Sequence, residues 1–133
     1  IYGTIFMSMA DSGEGNDEIG AEEFSRMLHA GLDGLYDIID ARTGDKTLVD
    51  TLVPAIEALD TANENGSDFE KALGEMKMAA RIGRDSTKDL VAKFGRSSRL
   101  GERSRGVLDA GATSCFILLE ALADGIIDLL KKD

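Results

Sequence analysis

Between Gly20 and Asp40 the apolar residues Phe24, Met27, Leu28, Leu32, Leu35, Ile38 and Ile39 recur three or four positions apart. That spacing gathers them on one stripe of an α-helix and would scatter them over both faces of a strand. The same rhythm returns at Leu48, Leu52, Ile56 and Leu59, and again at Phe69, Ala72, Leu73, Met76 and Ala80. Alternating β-branched runs are missing, and Pro54 is the single proline. A chain with three such stripes folds as an all-α protein, with antiparallel helices burying their stripes against one another.

The spacing predicts five to six helices. The apolar start, Ile1 to Ala10, reads as the continuation of a helix begun upstream, and Asp11 to Glu18 as a loop of glycines and acids. A second helix covers Gly20 to Asp40 and is broken by Ala41 to Asp45. A third runs from Lys46 to Asn63, where Pro54 either kinks it or divides it into two. The fourth, Asp68 to Ile82, is ended by Gly83. A fifth, Asp85 to Lys93, has Asp85 or Ser86 as its cap. Phe94 to Gly111 is a long irregular stretch, and such loops in compact domains are commonly either functional or disordered. The last helix, Ala112 to Lys131, is apolar nearly all round at Cys115 to Leu119 and is expected to be central.

At 133 residues the chain makes one domain, 1–133, able to bury a core without metals or disulfides. No apolar run is long enough to span a bilayer, and no signal-peptide pattern opens the chain. The single cysteine, Cys115, excludes an internal disulfide and suits a reducing, cytoplasmic setting. A net charge of −10 argues against nucleic acid as a partner. The charge is uneven, however. Nine of the 15 basic residues fall between Met76 and Gly106, a stretch that is +6 while the remainder is −16. Such an island either focuses a small anion or is a solvated helix face balanced by acids elsewhere.

Two junctions carry candidate chemistry. In the first, Arg96, Arg99, Arg103 and Arg105 alternate with glycine and serine, and Asp109-Ala110-Gly111-Ala112-Thr113-Ser114 leads into a helix. Arginine forks and the free N–H groups of a helix N-terminus both suit phosphate. The competing reading is plain capping by Asp109 or Thr113, with the arginines paired to acids. The second junction is Thr43-Gly44-Asp45-Lys46-Thr47, where Asp45 is placed to cap a helix and Lys46 to reach a phosphate or an acid. A Walker A loop, a CxxC pair and a GxGxxG segment are absent. His29 reads as structural and Cys115 as buried and inert. The acidic loop from Asp11 misses the spacing of a calcium-binding loop, so no metal ligand is assigned.

Four segments occur in order: Gly44-Asp45-Lys46-Thr47-Leu48, Lys93-Phe94-Gly95-Arg96-Ser97-Ser98, Gly101 to Gly106 (GERSRG) and Asp109 to Ser114 (DAGATS). Together they resemble the nucleotide-binding domain of dihydroxyacetone kinases, most closely the ADP-binding L subunits of the phosphotransferase-system-dependent branch. The resemblance covers essentially the whole chain. It implies part of an eight-helix up-and-down antiparallel barrel, with ADP or ATP and Mg²⁺ at one end. It implies that Leu48 packs on the adenine, that Arg96 contacts the nucleotide, and that Asp109, Ala110 and Gly111 form the nucleotide-contacting segment. The family usually has proline where Ala110 stands. Thr113 and the GERS segment are expected to shape the loop.

The implied function is phosphoryl transfer through the bound nucleotide to dihydroxyacetone held on a partner K subunit, with a phosphohistidine M subunit recharging the ADP. The family's catalytic acid/base lies on the K subunit, so no catalytic residue is assigned here. The family's aspartate-rich magnesium loop, of G-D-x-D-x-G type, lies upstream of Tyr2-Gly3-Thr4 and is not in this sequence. The expectation is therefore an N-terminally truncated, C-terminal portion of the domain, inactive alone and binding ADP weakly or not at all. Two other readings stay open: a non-catalytic helical module that holds a lipid or a partner helix, and the nucleotide domain of a fused ATP-dependent kinase.

Overall fold

A computed structural model describes residues 1–94 and 96–132, with the side chains of all of these except Arg96 and Ser97. All regular structure among the described residues is helical. Five α-helices follow one another: α1 (Tyr2–Gly13), α2 (Ala21–Tyr36), α3 (Val49–Glu64), α4 (Phe69–Ser86) and α5 (Ala110–Lys132). Two 3₁₀ segments, Thr87–Asp89 and Arg96–Ser104, lie between α4 and α5.

Side-chain contacts fix the direction of each helix. Gly34, near the end of α2, lies against Ser8 of α1, while Gly13 at the end of α1 faces Met27. Asn63 near the end of α3 donates to the Ala21 carbonyl at the start of α2. Arg81 pairs with Glu120, and Lys131 with Glu70. Each helix is thus antiparallel to the next, an up-and-down arrangement. Thr51 of α3 donates to the Ala112 carbonyl of α5 at 2.8 Å, and the Tyr2 hydroxyl of α1 lies 2.5 Å from Ser114 Oγ. Helices α1, α3 and α5 therefore all begin at one end of the molecule. The connections 37–48 and 87–109 gather there.

The core follows the stripes read from the spacing, with Leu28, Leu35, Ile56, Leu59, Leu73 and Met76 all buried, but Ile38, expected on the stripe of the second helix, is exposed beyond the end of α2. The α3–α4 connection is short and well capped. Ser67 N–H reaches back to the Ala62 carbonyl, and the Asp68 carboxylate accepts Lys71 N–H at 2.8 Å.

Several expectations are corrected. Helix α3 runs through Pro54 as one helix. The proline removes the N–H that would pair with the Asp50 carbonyl. Gly83 lies against that same carbonyl: a Cβ at Gly83 would sit 2.2 Å from Asp50 O. Gly83 therefore does not end α4. It lets α4 approach α3, and α4 continues to Ser86. No separate helix covers Asp85–Lys93. Beyond α4 the chain makes one 3₁₀ turn and then extends, because Thr87 turns its hydroxyl back onto the Arg84 carbonyl and accepts Asp109 N–H. Helix α2 stops at Tyr36, where Arg42 stacks on the ring with its guanidinium carbon 4.0 Å from the centroid. Helix α5 is not central. Its inner face, with Cys115, Phe116 and Leu119, is buried, but Ile117 is 58% exposed and Leu129 64%. Smaller shifts are that α1 continues to Gly13 and that α5 begins at Ala110.

Candidate functional site

The end at which α1, α3 and α5 begin is organised by buried polar groups. In the α2–α3 connection, Asp45 closes a turn by accepting Arg42 N–H at 2.8 Å and pairs with Lys93 at 3.3 Å. The Arg42 N–H, followed by the Lys93 ammonium, holds the Asp45 carboxyl below its usual range. Asp45 does not cap α3. Asp50, in the first turn of α3 and 2% exposed, folds back instead. Its two oxygens accept Gly44 N–H at 2.6 Å and Thr47 N–H at 2.9 Å. Thr47 Oγ1 accepts Val49 N–H.

Lys46 is buried, 2% exposed, and pairs with no acid among the described residues. Its ammonium donates to the carbonyls of Ser104 and Val107 at 2.5 Å and of Leu90 at 3.3 Å. The span between α4 and α5 is tied further by Ser104, whose hydroxyl donates to the Gly101 carbonyl and accepts Ala92 N–H. Gly106 N–H meets the Lys88 carbonyl at 2.7 Å. Arg105 pairs with Glu102 and with the Asp89 carbonyl. The basic island is largely balanced. Lys77, Arg81, Arg84, Lys93 and Arg105 each have an acidic partner, and Arg84 also lies 4.5 Å over the Phe116 ring.

Asp109 is the N-cap of α5. Its carboxylate accepts Ala112 N–H at 2.8 Å, and its carbonyl accepts Thr113 N–H and the Thr113 hydroxyl. The N–H groups of Ala110 and Gly111, in the first turn, have no intrahelical acceptor by construction. The Tyr2 hydroxyl contacts Ser114 Oγ and donates to the Gly111 carbonyl. Burial, together with nearby acidic groups, raises the Tyr2 pKa, so the phenol stays protonated.

These elements enclose a cavity of about 440 Å³, lined among others by Ile39, Asp40, Leu48, Phe94, Asp109 and Gly111. Three of the candidate residues, Leu48, Asp109 and Gly111, meet there from segments some sixty positions apart in sequence. Ala110 opens α5 behind the cavity and is not among its lining residues. The Arg96 side chain lies outside the described residues. Asp50, Thr51 and Thr87, all buried, build the site's frame without having been singled out in the sequence, whereas Ser104 belongs to the GERS segment expected to shape the loop. Of the three, Asp50 left a signal there, a carboxylate inside the apolar run Leu48 to Leu52.

Elsewhere, His29 Nε2 lies 2.7 Å from Asp60, which also accepts the Ser25 hydroxyl, an α2–α3 tie rather than a nucleophile and base. Burial pushes the Cys115 thiol up to about 12, so it is inert at neutral pH. Among the described residues no group of three or more His, Cys, Asp or Glu is placed to hold a metal ion. Nor is any helix among them long and apolar enough to cross a membrane.

Residues 1–124 match the DAK2 domain family. Over 123 residues the chain is 35% identical to the ADP-binding subunit DhaL of the PEP-dependent dihydroxyacetone kinase of Escherichia coli (strain K12), covering 92% of this chain and 59% of that protein. It is 33% identical over 132 residues to the ADP-binding subunit DhaL of PEP-dependent dihydroxyacetone kinase 2 of Listeria innocua, covering 99% and 59%. An L-erythrulose kinase of Pectobacterium atrosepticum is 40% identical over 83 residues, 62% of this chain and 14% of that protein. The chain spans 59% of the length of the two bacterial subunits. A match over nearly its whole length, on a helical fold that brings the motif residues to one end, makes this chain a member of the DAK2 domain family.

Proposed function

We propose that this chain is part of the nucleotide-binding domain of an ADP-binding, L-type subunit of a dihydroxyacetone kinase, its five helices forming an arc of an eight-helix barrel. It works in the cytoplasm with a ketose-binding K subunit and a phosphohistidine M subunit. The observation that carries the reading is the meeting of Leu48, Asp109 and Gly111 on one cavity at the N-terminus of α5. Ile39, Leu48 and Phe94 offer an apolar wall to a purine. The first-turn N–H groups of α5 and the positive end of its dipole favour a phosphate group. The carboxylate of Asp40, exposed at the cavity, suits ribose hydroxyls or an amino group better than phosphate.

The same cavity sets what these residues do in phosphoryl transfer: they bind and orient the nucleotide. Mg²⁺ accompanies the nucleotide in the family resemblance, but the described residues present no donor set for it, and none of their roles runs through the metal. The erythrulose kinase relative widens the acceptor to a small ketose of three or four carbons. The fused-kinase relationship differs in chain organisation, not in this cavity.

Amide NMR of the chain during an ADP titration tests the reading. The expected result is weak, saturable binding with a Kd of about 1 mM, equivalent to about −4 kcal/mol. Shifts should be confined to Leu48, Phe94 and Asp109–Gly111, and Leu48→Ala should lose them. Absence of shifts up to about 10 mM ADP, or shifts at the opposite end of the helices, overturns it and favours the non-catalytic binding module.

A further inference from the structure

Lys46 is the one non-glycine residue with positive φ among the described residues, at +64°, and it is almost fully buried. Among the described residues it has no carboxylate partner; its three ammonium protons meet three backbone carbonyls, of Leu90, Ser104 and Val107. Those carbonyls belong to one span of irregular chain, and Lys46 belongs to another. A left-handed backbone at a residue other than glycine is retained where the surrounding structure holds it there. Here the side chain supplies the reason. Three carbonyl oxygens converging on a buried point leave unpaired acceptors unless a cation or several donors fill it.

We propose that the Lys46 ammonium is the positioning group of the nucleotide cavity, acting as a tethered monovalent cation in a three-carbonyl cage. By gripping Leu90 on one side and Ser104 and Val107 on the other, it seats the α4–α5 span against the Gly44–Leu48 turn. Leu48, two residues beyond Lys46, and Asp109, two beyond Val107, are thereby held on the same cavity. Lys46 is then not a phosphate ligand, because all its donors are spent on the protein. The cage itself stands without the nucleotide reading, whereas the positioning role rests on it.

The test uses two variants of the chain. Lys46→Gly removes the side chain and suits the positive φ, so the backbone stays relaxed. Lys46→Met keeps a long stem without the charge. Amide hydrogen exchange is read over residues 88–108 and, as the internal reference, over α1 and α2. Both variants should exchange at least tenfold faster in 88–108 with the α1–α2 hairpin unchanged. Butylammonium added to Lys46→Gly should restore protection, and neutral butanol should not. The ADP-induced shifts at Leu48 and Gly111 should weaken in both variants and return in Lys46→Gly with butylammonium. Wild-type protection in Lys46→Gly, or equal rescue by butanol, overturns the cage. Loss of protection with ADP shifts unchanged overturns the positioning role. A wild-type chain that gives no ADP shifts refutes the proposed function instead, and the exchange data still decide the cage. If Lys46→Met unfolds throughout, Lys46→Gly with and without butylammonium decides between the same outcomes.

Discussion

The two ends of this helical stack hold cavities of nearly equal size, both mainly apolar in lining but set in different surroundings. One, of about 440 Å³, is framed by Asp50, Thr51, Lys46, Thr87 and Ser104, buried polar groups each bonded to backbone. The other, of about 480 Å³, is walled by Phe6, Ile19, Phe24, Met27, Ile126 and Leu130 and is almost wholly hydrocarbon. Size does not distinguish them. What does is the number of polar groups that had to be buried and satisfied to make the first. A hydrocarbon wall can shift by a rotamer at little cost, whereas a buried acceptor must keep its donor. The polar end is therefore held in one shape, and the apolar end is free to adjust.

The sharpest way to break this contrast is to damage the apolar end and watch the polar one. Phe24 is 4% exposed, with its ring centroid 5.9 Å from that of Phe69. Phe24→Ala should lower stability by about 3–5 kcal/mol in urea titration. Amide protection of 88–108 relative to the global value should stay as it is. A selective loss of that protection would mean the ends are not separable.

Gly83→Ala makes the opposite cut. The new Cβ must displace the Asp50 carbonyl, pushing α3 from α4 where Asp50 holds Gly44 and Thr47. The cost should be about 1–3 kcal/mol by the same titration. ADP-induced shifts should weaken with it. A Gly83→Ala chain of wild-type stability would show that the close approach is not needed.

The smallest effect is electrostatic. Asp45 has its carboxyl held low by the Arg42 N–H and by Lys93, so its folded pKa lies below the unfolded value of about 3.9. Its contribution is complete above that value and fades as pH falls through the folded pKa. Asp45→Asn should therefore lower stability modestly at neutral pH and narrow the gap to wild type below about pH 4. A gap that stays constant down to strong acid would show that the pair with Lys93 contributes nothing.

The stripes at Phe24 to Leu35, Leu48 to Leu59 and Phe69 to Ala80 announced α2, α3 and α4, because periodicity reports which face will be buried whatever covers it. Asp109 as a cap of α5 was legible, since N-cap chemistry is local. The ends of α2 and α4 were not. Tyr36 stops α2 under a stacked Arg42, and Gly83 continues α4 because α3 has a carbonyl to offer there. Lys46 and Asp45 exchanged their expected tasks with Asp50 and with backbone carbonyls, for a like reason. A charged side chain in a loop takes whichever partner the fold brings to it, and Leu90, Ser104 and Val107 are more than forty positions away.

The sequence alone determined the helical class, the stripes that form the core, and the motifs that place this chain in its family, all of which rest on interactions spanning a few residues. Only the tertiary structure decided that Leu48, Asp109 and Gly111 share a cavity, that Lys46 is a staple, and that α5 lies at the side of the stack. Those outcomes depend on which distant carbonyls and hydrocarbon faces meet, and burial makes each such meeting obligatory once the helices have packed.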